Sequence, residues 1–377
     1  MRIPSLILAL CLALSGCDAP TEKGRESGID RVGMNLQVRP GDDFFEYANG
    51  NWLKTTEIPA DQTAWGSFSI LQEQNLERLH AIAQDAVSAR DADRARVGAL
   101  YAAFMDEQGI AAHGLQPLAR ELAAIAALND HAAIAAYFGH ATMIGVASPL
   151  GLWVDQDERD ASRYILHLEQ GGLGLPDRDY YFDTSERGQV VLAKYREFIA
   201  RLLTLADHPE PAAAAARIIG LETQLAGHQW NRLDNRDAEK TYNRYDAGQL
   251  RALLGSYELD GFLQAQHLAL PAAVIVRQPS YAQAVDALFR EVSPELWRDY
   301  LQVRLLSAYA PYLHTAFEQL HFDFYQRTLN GQAEPRERWK RAIETLNGQL
   351  GELLGKLYVE KHFPPAAKAR MEALVGN

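Results

Sequence analysis

PGDDFFEYANGNWLKTTEIPADQTAWGSFSIL, residues 40–71, is the stretch around which the rest of the chain is read. Phe44, Phe45, Tyr47, Trp52, Trp65 and Phe68 crowd into it, and Gly50 and Gly66 punctuate it. Aromatic side chains at this density bury large apolar areas and need partners from distant parts of the chain. The glycines point to tight turns or close backbone approach. The stretch therefore reads as a wrapping segment laid over a larger body.

That body reads as mostly helical. Apolar residues recur at helical spacing from Leu71 to Ala89 and from Arg94 to Met105. They do so again from Leu115 to Leu128 and from His131 to Ala141. Short connections between these four runs predict an antiparallel bundle. The period then changes: Leu150 to Val154 and Tyr164 to Leu168 predict a β-hairpin around a polar loop, residues 155–161. The loop lacks the glycine and terminal glutamate of a calcium-binding loop and reads as a solvated turn. Helices resume over 185–206 and 211–226, and a short one follows over 246–254. Ala273 to Val276 predicts a strand. Further helices are predicted over 280–289, 293–309, 311–329 and 336–361, with a last segment over 366–375. Pro211 and Pro294 sit where a helix start tolerates the missing N–H. The fold class is thus mostly α: a multi-helix lobe with a small β-hairpin and the N-terminal aromatic segment.

Composition bounds the function. The chain has 377 residues, 47% hydrophobic and 23% charged, with net charge −12. An acidic surface excludes nucleic acid as a partner, because phosphate binding needs clustered cations. The N-terminus reads as a targeting segment. Arg2 precedes the short apolar run Leu6 to Leu14, which is too short to span a bilayer. Leu14-Ser15-Gly16-Cys17 then has the form of a lipoprotein cleavage site, with Cys17 as the lipid attachment residue. The only other cysteine, Cys11, leaves with the signal, so the mature chain has neither disulfide nor nucleophilic thiol. The expected organisation is a signal peptide over 1–17, a flexible polar tether over 18–35 and a folded domain over 36–377. The expected location is the cell envelope, held at a membrane by the lipid and facing the periplasm or exterior.

Four motifs carry a resemblance. The first is Asp42-Asp43-Phe44-Phe45-Glu46-Tyr47-Ala48-Asn49-Gly50-Asn51-Trp52, with Ile58-Pro59 and Trp65-Gly66-Ser67-Phe68 behind it. The second runs from Gly171-Gly172-Leu173-Gly174-Leu175-Pro176 through Asp177-Arg178-Asp179-Tyr180-Tyr181. The third is Asn235-Arg236-Asp237 with Lys240-Thr241-Tyr242-Asn243. The fourth is Arg338-Trp339-Lys340 with Gly355-Lys356-Leu357-Tyr358-Val359 and His362-Phe363-Pro364. In this order they resemble the N-terminal half of the neprilysin and endothelin-converting-enzyme family of zinc metallopeptidases. The resemblance implies hydrolysis of short peptides by a zinc-activated water, in a cavity between two helical lobes. It implies that this chain supplies the lobe closing that cavity, with peptide substrates and a catalytic lobe as partners. Animal members hold the substrate C-terminus with an arginine before the aromatic–glycine pair and an acidic residue after it. Here those positions are Ala64 and Ser69, so that contact does not carry over. Gly41 and Asn49 stand where animal relatives have cysteines.

The zinc chemistry itself is missing. His-Glu-x-x-His puts two imidazoles on one helix face with a general base between them. None of the eleven histidines is followed by Glu or has a second His four residues on. The expectation is therefore no catalytic residue, no metal ligand and no cofactor in this chain, and no peptidase activity from it alone. The chain runs to Asn377 within what reads as a helix, where family members continue into the catalytic half.

Other candidates are weaker. Asp177, Arg178 and Asp179 read either as a cavity wall or as a structural ion cluster. His314, Glu318 and His321 share a helix face at metal-ligand spacing, and core or surface placement is the competing explanation. His167-Leu168-Glu169 resembles a deaminase fragment without its cysteines. The alternative function is a non-catalytic envelope lipoprotein that binds peptides or a protein partner.

Overall fold

The computed structural model describes residues 28–376. The predicted signal peptide with Cys17, and the tether up to residue 27, lie outside the described residues. The chain forms two compact units, Met1–Ile58 and Pro59–Asn377.

In the first unit a helix, α1 (Phe44–Thr55), starts at Asp43. The Asp43 carboxylate accepts the Glu46 N–H at 2.9 Å, satisfying a donor the helix start would otherwise leave bare. Residues at the end of the predicted tether are tied to this helix. The Gly33 carbonyl accepts from Asn51 and Trp52, and the Asn35 N–H donates to the Tyr47 carbonyl at 2.8 Å. A Cβ at Gly50 would lie 2.8 Å from the Asn35 side chain, so only glycine allows this approach. Phe44 and Phe45 stay exposed although aromatic density predicts burial.

The second unit begins with α2 (Ser67–Val87), α3 (Ala92–Met105), α4 (Glu107–His113), α5 (Ala119–Ala126) and α6 (His131–Met143). A hairpin of β1 (Leu150–Asp157) and β2 (Asp160–Gln170) follows, then α7 (Glu186–Leu205) and α8 (Pro211–His228). Short elements come next: α9 (Arg232–Asn235), α10 (Ala238–Thr241), β3 (Arg244–Asp246), α11 (Ala247–Leu253), α12 (Leu259–Gln264) and β4 (Ala273–Val276). The chain continues with α13 (Pro279–Glu291), α14 (Pro294–Tyr309), α15 (Thr315–His321), α16 (Arg338–His362) and α17 (Pro365–Gly376). Asp91, Asp106, Asp130, Ser185 and Ser293 cap their helices through side-chain oxygens.

Two hydrophobic cores organise this unit. The larger gathers α6, α7, α8, α12, α13 and α14 around Phe138, Tyr195, Phe198, Trp297 and Tyr300. The smaller joins α2, α3 and α16 through Leu79, Ile82, Val97, Phe104, Ile343 and Leu346. The four helical runs predicted as one bundle are thus divided. α5 and α6 pack on α14 in the larger core, whereas α2 and α3 take α16 as their partner. A Cβ at Gly98 would lie 2.2 Å from the Ala86 carbonyl oxygen, so α3 meets α2 at backbone contact.

The sheet has the order β1-β2-β4-β3. β1 and β2 are antiparallel, β2 and β4 parallel, and β3 antiparallel to β4. The hairpin is longer than predicted. Most of the polar loop is strand, and Asp157 is buried, accepting the Tyr242 hydroxyl at 2.8 Å. The single helix predicted over 311–329 divides into α15 and a π-helical turn, Phe322–Thr328. Within α16, Leu350 leaves helical geometry at φ −132°.

Candidate functional site

The loop after β2 carries the glycine-rich motif and is held from the core side by phenols. Tyr281 Oη donates to the Gly171 carbonyl at 2.9 Å, Tyr300 Oη to Gly172 at 2.7 Å, and Tyr325 Oη to Gly174 at 3.0 Å. The Gly174 and Leu175 N–H groups both donate to Tyr181 Oη at 3.2 Å. Gly172 has φ +85°, a backbone region side chains disfavour. At Gly174 a Cβ would lie 1.7 Å from Tyr195 Oη and 2.3 Å from Arg304 Nη2. Bare backbone is the only group that fits there.

Behind the loop lies a buried ion pair. Arg304 Nη2 is 3.1 Å from Glu222 Oε1, with 6% and 0% of the two side chains exposed. Tyr181 Oη donates to Glu222 Oε2 at 2.7 Å, and Tyr195 Oη to the same oxygen at 2.9 Å. Arg304 Nη2 also donates to Tyr195 Oη at 2.8 Å. Burial raises the Tyr181 and Tyr195 pKa values, so both phenols remain protonated donors. Burial works against the Arg304 charge, but Tyr195 and Glu222 outweigh it and hold the guanidinium ionised. Desolvation offsets much of the Coulomb gain in such a pair. What the network secures is the position of the loop.

The three residues singled out on this loop point to different partners. Asp177 accepts the Asp179 N–H at 2.9 Å and pairs with Arg232 Nε at 2.9 Å. Burial pushes its carboxyl up, yet the Asp179 N–H and Arg232 hold it below the usual range. Arg178 Nε donates to the Ala226 carbonyl at 3.0 Å, and its guanidinium lies 5.6 Å from the Phe182 ring centre. Asp179 is exposed and lines a surface depression with Tyr180, Phe182 and Arg232.

The other motifs also join elements. Asn235 accepts from Gln278 at 3.0 Å, and the Asn243 carbonyl accepts the Val276 N–H at 2.8 Å, tying this stretch to β4. Arg338 donates to the Phe104 carbonyl, Trp339 stacks on His80 with ring centres 4.3 Å apart, and Lys340 reaches Glu73 at 2.8 Å. Arg78 Nη1 donates to Tyr358 Oη at 3.1 Å. These residues were legible as motifs, but their partners were not.

The weaker candidates do not assemble metal sites. His314 precedes α15 with its ring against Phe317, Glu318 is taken up by Arg338 and Arg341, and His321 lies against Tyr325. His167 is buried under Trp153, ring centres 4.3 Å apart, and Glu169 accepts the Trp153 indole N–H at 3.1 Å. Ala64 is exposed before α2, and Ser69 lies in its first turn. Among the described residues no three His, Cys, Asp or Glu side chains are grouped to hold a metal. The donors of the described residues therefore do not group as a catalytic zinc would require.

Comparison with known proteins follows this architecture. The family model for peptidase family M13, N-terminal part, matches residues 40–377. Endothelin-converting enzyme-like 1 of Mus musculus is 26% identical over 378 residues, covering 96% of this chain and 48% of its own length. The crystal structure of the Mycobacterium tuberculosis zinc metalloprotease ZMP1 with an inhibitor is 37% identical, with TM-score 0.87 over 93% of this chain and 54% of that one. PepO from Lactobacillus rhamnosis, 22% identical with TM-score 0.76 over 90% of this chain and 54% of that one, shares the fold. The chain thus spans about half the length of the curated relatives it matches.

Proposed function

Because the chain belongs to peptidase family M13 through residues 40–377, we propose that it is the helical lobe of a zinc-dependent peptidase. It closes a cavity over short peptides, while the zinc ligands and general base come from outside this sequence. The observation that carries the reading is the extended likeness to ZMP1, which covers 93% of this chain and 54% of that protease. The physical support is that the glycine-rich and C-terminal motifs of this chain secure geometry: the glycine loop is pinned by four tyrosines, and α16 is clamped to α2 and α3. A lobe that limits substrate size needs such stiffness, since excluding large substrates depends on walls that do not yield. On the same reading Asp177 and Arg178 are clamps of the loop and not substrate contacts.

The test is hydrolysis of a quenched fluorescent peptide by the purified chain, with added zinc. The expected result is no zinc-dependent cleavage by the chain alone, and cleavage once an M13 catalytic half bearing His-Glu-x-x-His is supplied. Chelator-sensitive cleavage by the chain alone would overturn the reading. For location, we propose lipid attachment at Cys17 and residence at the cell envelope. Cys17→Ala should move the protein from the detergent phase to the aqueous phase; unchanged partitioning would refute the anchor.

A further inference from the structure

β1 lies at one edge of the sheet and pairs there with β2 alone. The register shows which of its backbone groups look outward. The Leu168 carbonyl accepts the Arg277 N–H at 2.9 Å, and the Gln170 N–H donates to Gln278 Oε1 at 3.0 Å. The even-numbered residues of β2 thus turn their backbone toward β4. Ile165, His167 and Glu169 serve β1, through Asp155, Trp153 and Gly151. Leu150, Leu152, Val154 and Gln156 therefore turn their backbone groups outward.

Two of these outward groups are satisfied locally. Ser148 Oγ donates to the Leu150 carbonyl at 2.6 Å, and the Gln156 N–H donates to Asp155 Oδ1 at 2.7 Å. The N–H groups of Leu150, Leu152 and Val154 and the carbonyls of Leu152, Val154 and Gln156 have no partner among the described residues. Edge strands are ordinarily guarded by proline, a bulge or several charges. Residues 150–156 hold no proline and one charge, Asp155, and the register irregularity falls only at Gln156/Asp157. Val154 is 61% exposed and Trp153 36%, although the Trp153 ring lies on His167 and its indole N–H is taken by Glu169.

The pattern of open and closed groups is self-complementary. With a second β1 running antiparallel and Trp153 on a two-fold axis, Leu152 stands opposite Val154, and Leu150 opposite Gln156. Every open N–H then meets an open carbonyl. The two groups left facing each other, the Leu150 carbonyl and the Gln156 N–H, are those that Ser148 and Asp155 already satisfy. Sliding one copy by two residues in either direction sets an open group against a closed one. The charges agree with this register. Asp155 lies opposite Gly151 of the second copy and not against a like charge, which would be destabilising. Trp153 meets Trp153 in a non-hydrogen-bonded pair, where cross-strand side chains lie closest.

We propose that β1 is a dimerisation edge, pairing antiparallel with β1 of a second copy and extending the sheet across a two-fold axis at Trp153. The paired stretch is short, about 20 Å of strand, so the dimer belongs to the weak, transient class. The interface is independent of the zinc reaction.

Sedimentation of the full chain across the micromolar range should show reversible, concentration-dependent dimers. Val154→Pro removes an N–H that no bond uses within one copy, at an edge position where proline is tolerated. Symmetry makes it remove two bonds at once, so association should weaken about tenfold or more, with an unfolding midpoint close to wild type. Disulfide trapping reads the register, in a chain carrying Cys11→Ala and Cys17→Ala. Gly151→Cys combined with Asp155→Cys should give an oxidised dimer, and either cysteine alone should not. A Cβ at Gly151 has its nearest neighbour at 3.8 Å, so that substitution fits. A monomer throughout the range overturns the proposal and leaves the edge to a strand from another chain. So does a dimer that Val154→Pro does not weaken, or trapping by a single cysteine as efficient as by the pair. The trapping arm decides the matter even if Val154→Pro does not fold.

Discussion

Gly174 shows how one residue can be dictated by distant neighbours. Its missing Cβ is the space occupied by Tyr195 Oη and Arg304 Nη2, both locked in a buried network. Neither can retreat without leaving Glu222 short of a partner. Gly174→Ala should therefore cost about 3 kcal/mol, at the upper end of overpacking effects. A lower urea midpoint at unchanged slope would confirm this, and a midpoint equal to wild type would refute it. His321 supplies a pH prediction. Burial holds its ring down at about 4 in the fold, against an ordinary value of 6.5. The native ring is neutral at pH 7, and the unfolded chain binds the proton first as pH falls. The stability this group gives is complete above pH 6.5 and is lost progressively from there down to about pH 4. The loss amounts to roughly 3 kcal/mol. Urea titrations at several pH values should show a shallower acid slope in His321→Leu; parallel slopes would contradict this account.

Between elements, the contact of α2 with α3 sets the smaller core. Gly98 places the α3 backbone against the Ala86 carbonyl, and Ile82, Val97, Ile343 and Leu346 close around that crossing. Gly98→Val forces the helices apart and opens gaps beside α16, so it should cost more than the gain in helix propensity returns. The expected net loss is about 2–4 kcal/mol, read as a lowered thermal midpoint together with faster amide exchange in α2, α3 and α16. A stabilised variant would mean that the helices are free to separate. Asp43 acts at the same scale in the first unit, where its cap fixes the start of α1 among exposed aromatics.

Across the second unit, stability is unevenly distributed. The larger core surrounds fully buried Trp297, Tyr195, Tyr257 and Phe138, whereas the smaller rests on three helices. Opening free energies follow local burial, so the three-helix group should exchange its amides as one cooperative step below the global limit. Hydrogen exchange read by mass spectrometry should show α2, α3 and α16 exchanging together, ahead of α8 and α14. Uniform protection across both cores would refute this.

What the sequence by itself determined was local and compositional. Apolar periodicity located α2, α3 and α7, while Pro211 and the pair Ser293-Pro294 marked helix starts that the structure keeps. The hairpin was legible in its two apolar runs, though its length was not, because Asp157 is buried by Tyr242, far along the chain. The ordered motifs were enough to indicate the peptidase family. Only the tertiary structure decided that α16 completes the core of α2 and α3, since an apolar stripe names no partner. It alone decided that Asp177 and Arg178 look to Arg232 and Ala226, and that Glu318 is shared by two arginines. Charges adjacent in sequence carry no record of which distant group will meet them. Burial and pairing are set by packing, and packing is a property of the whole fold.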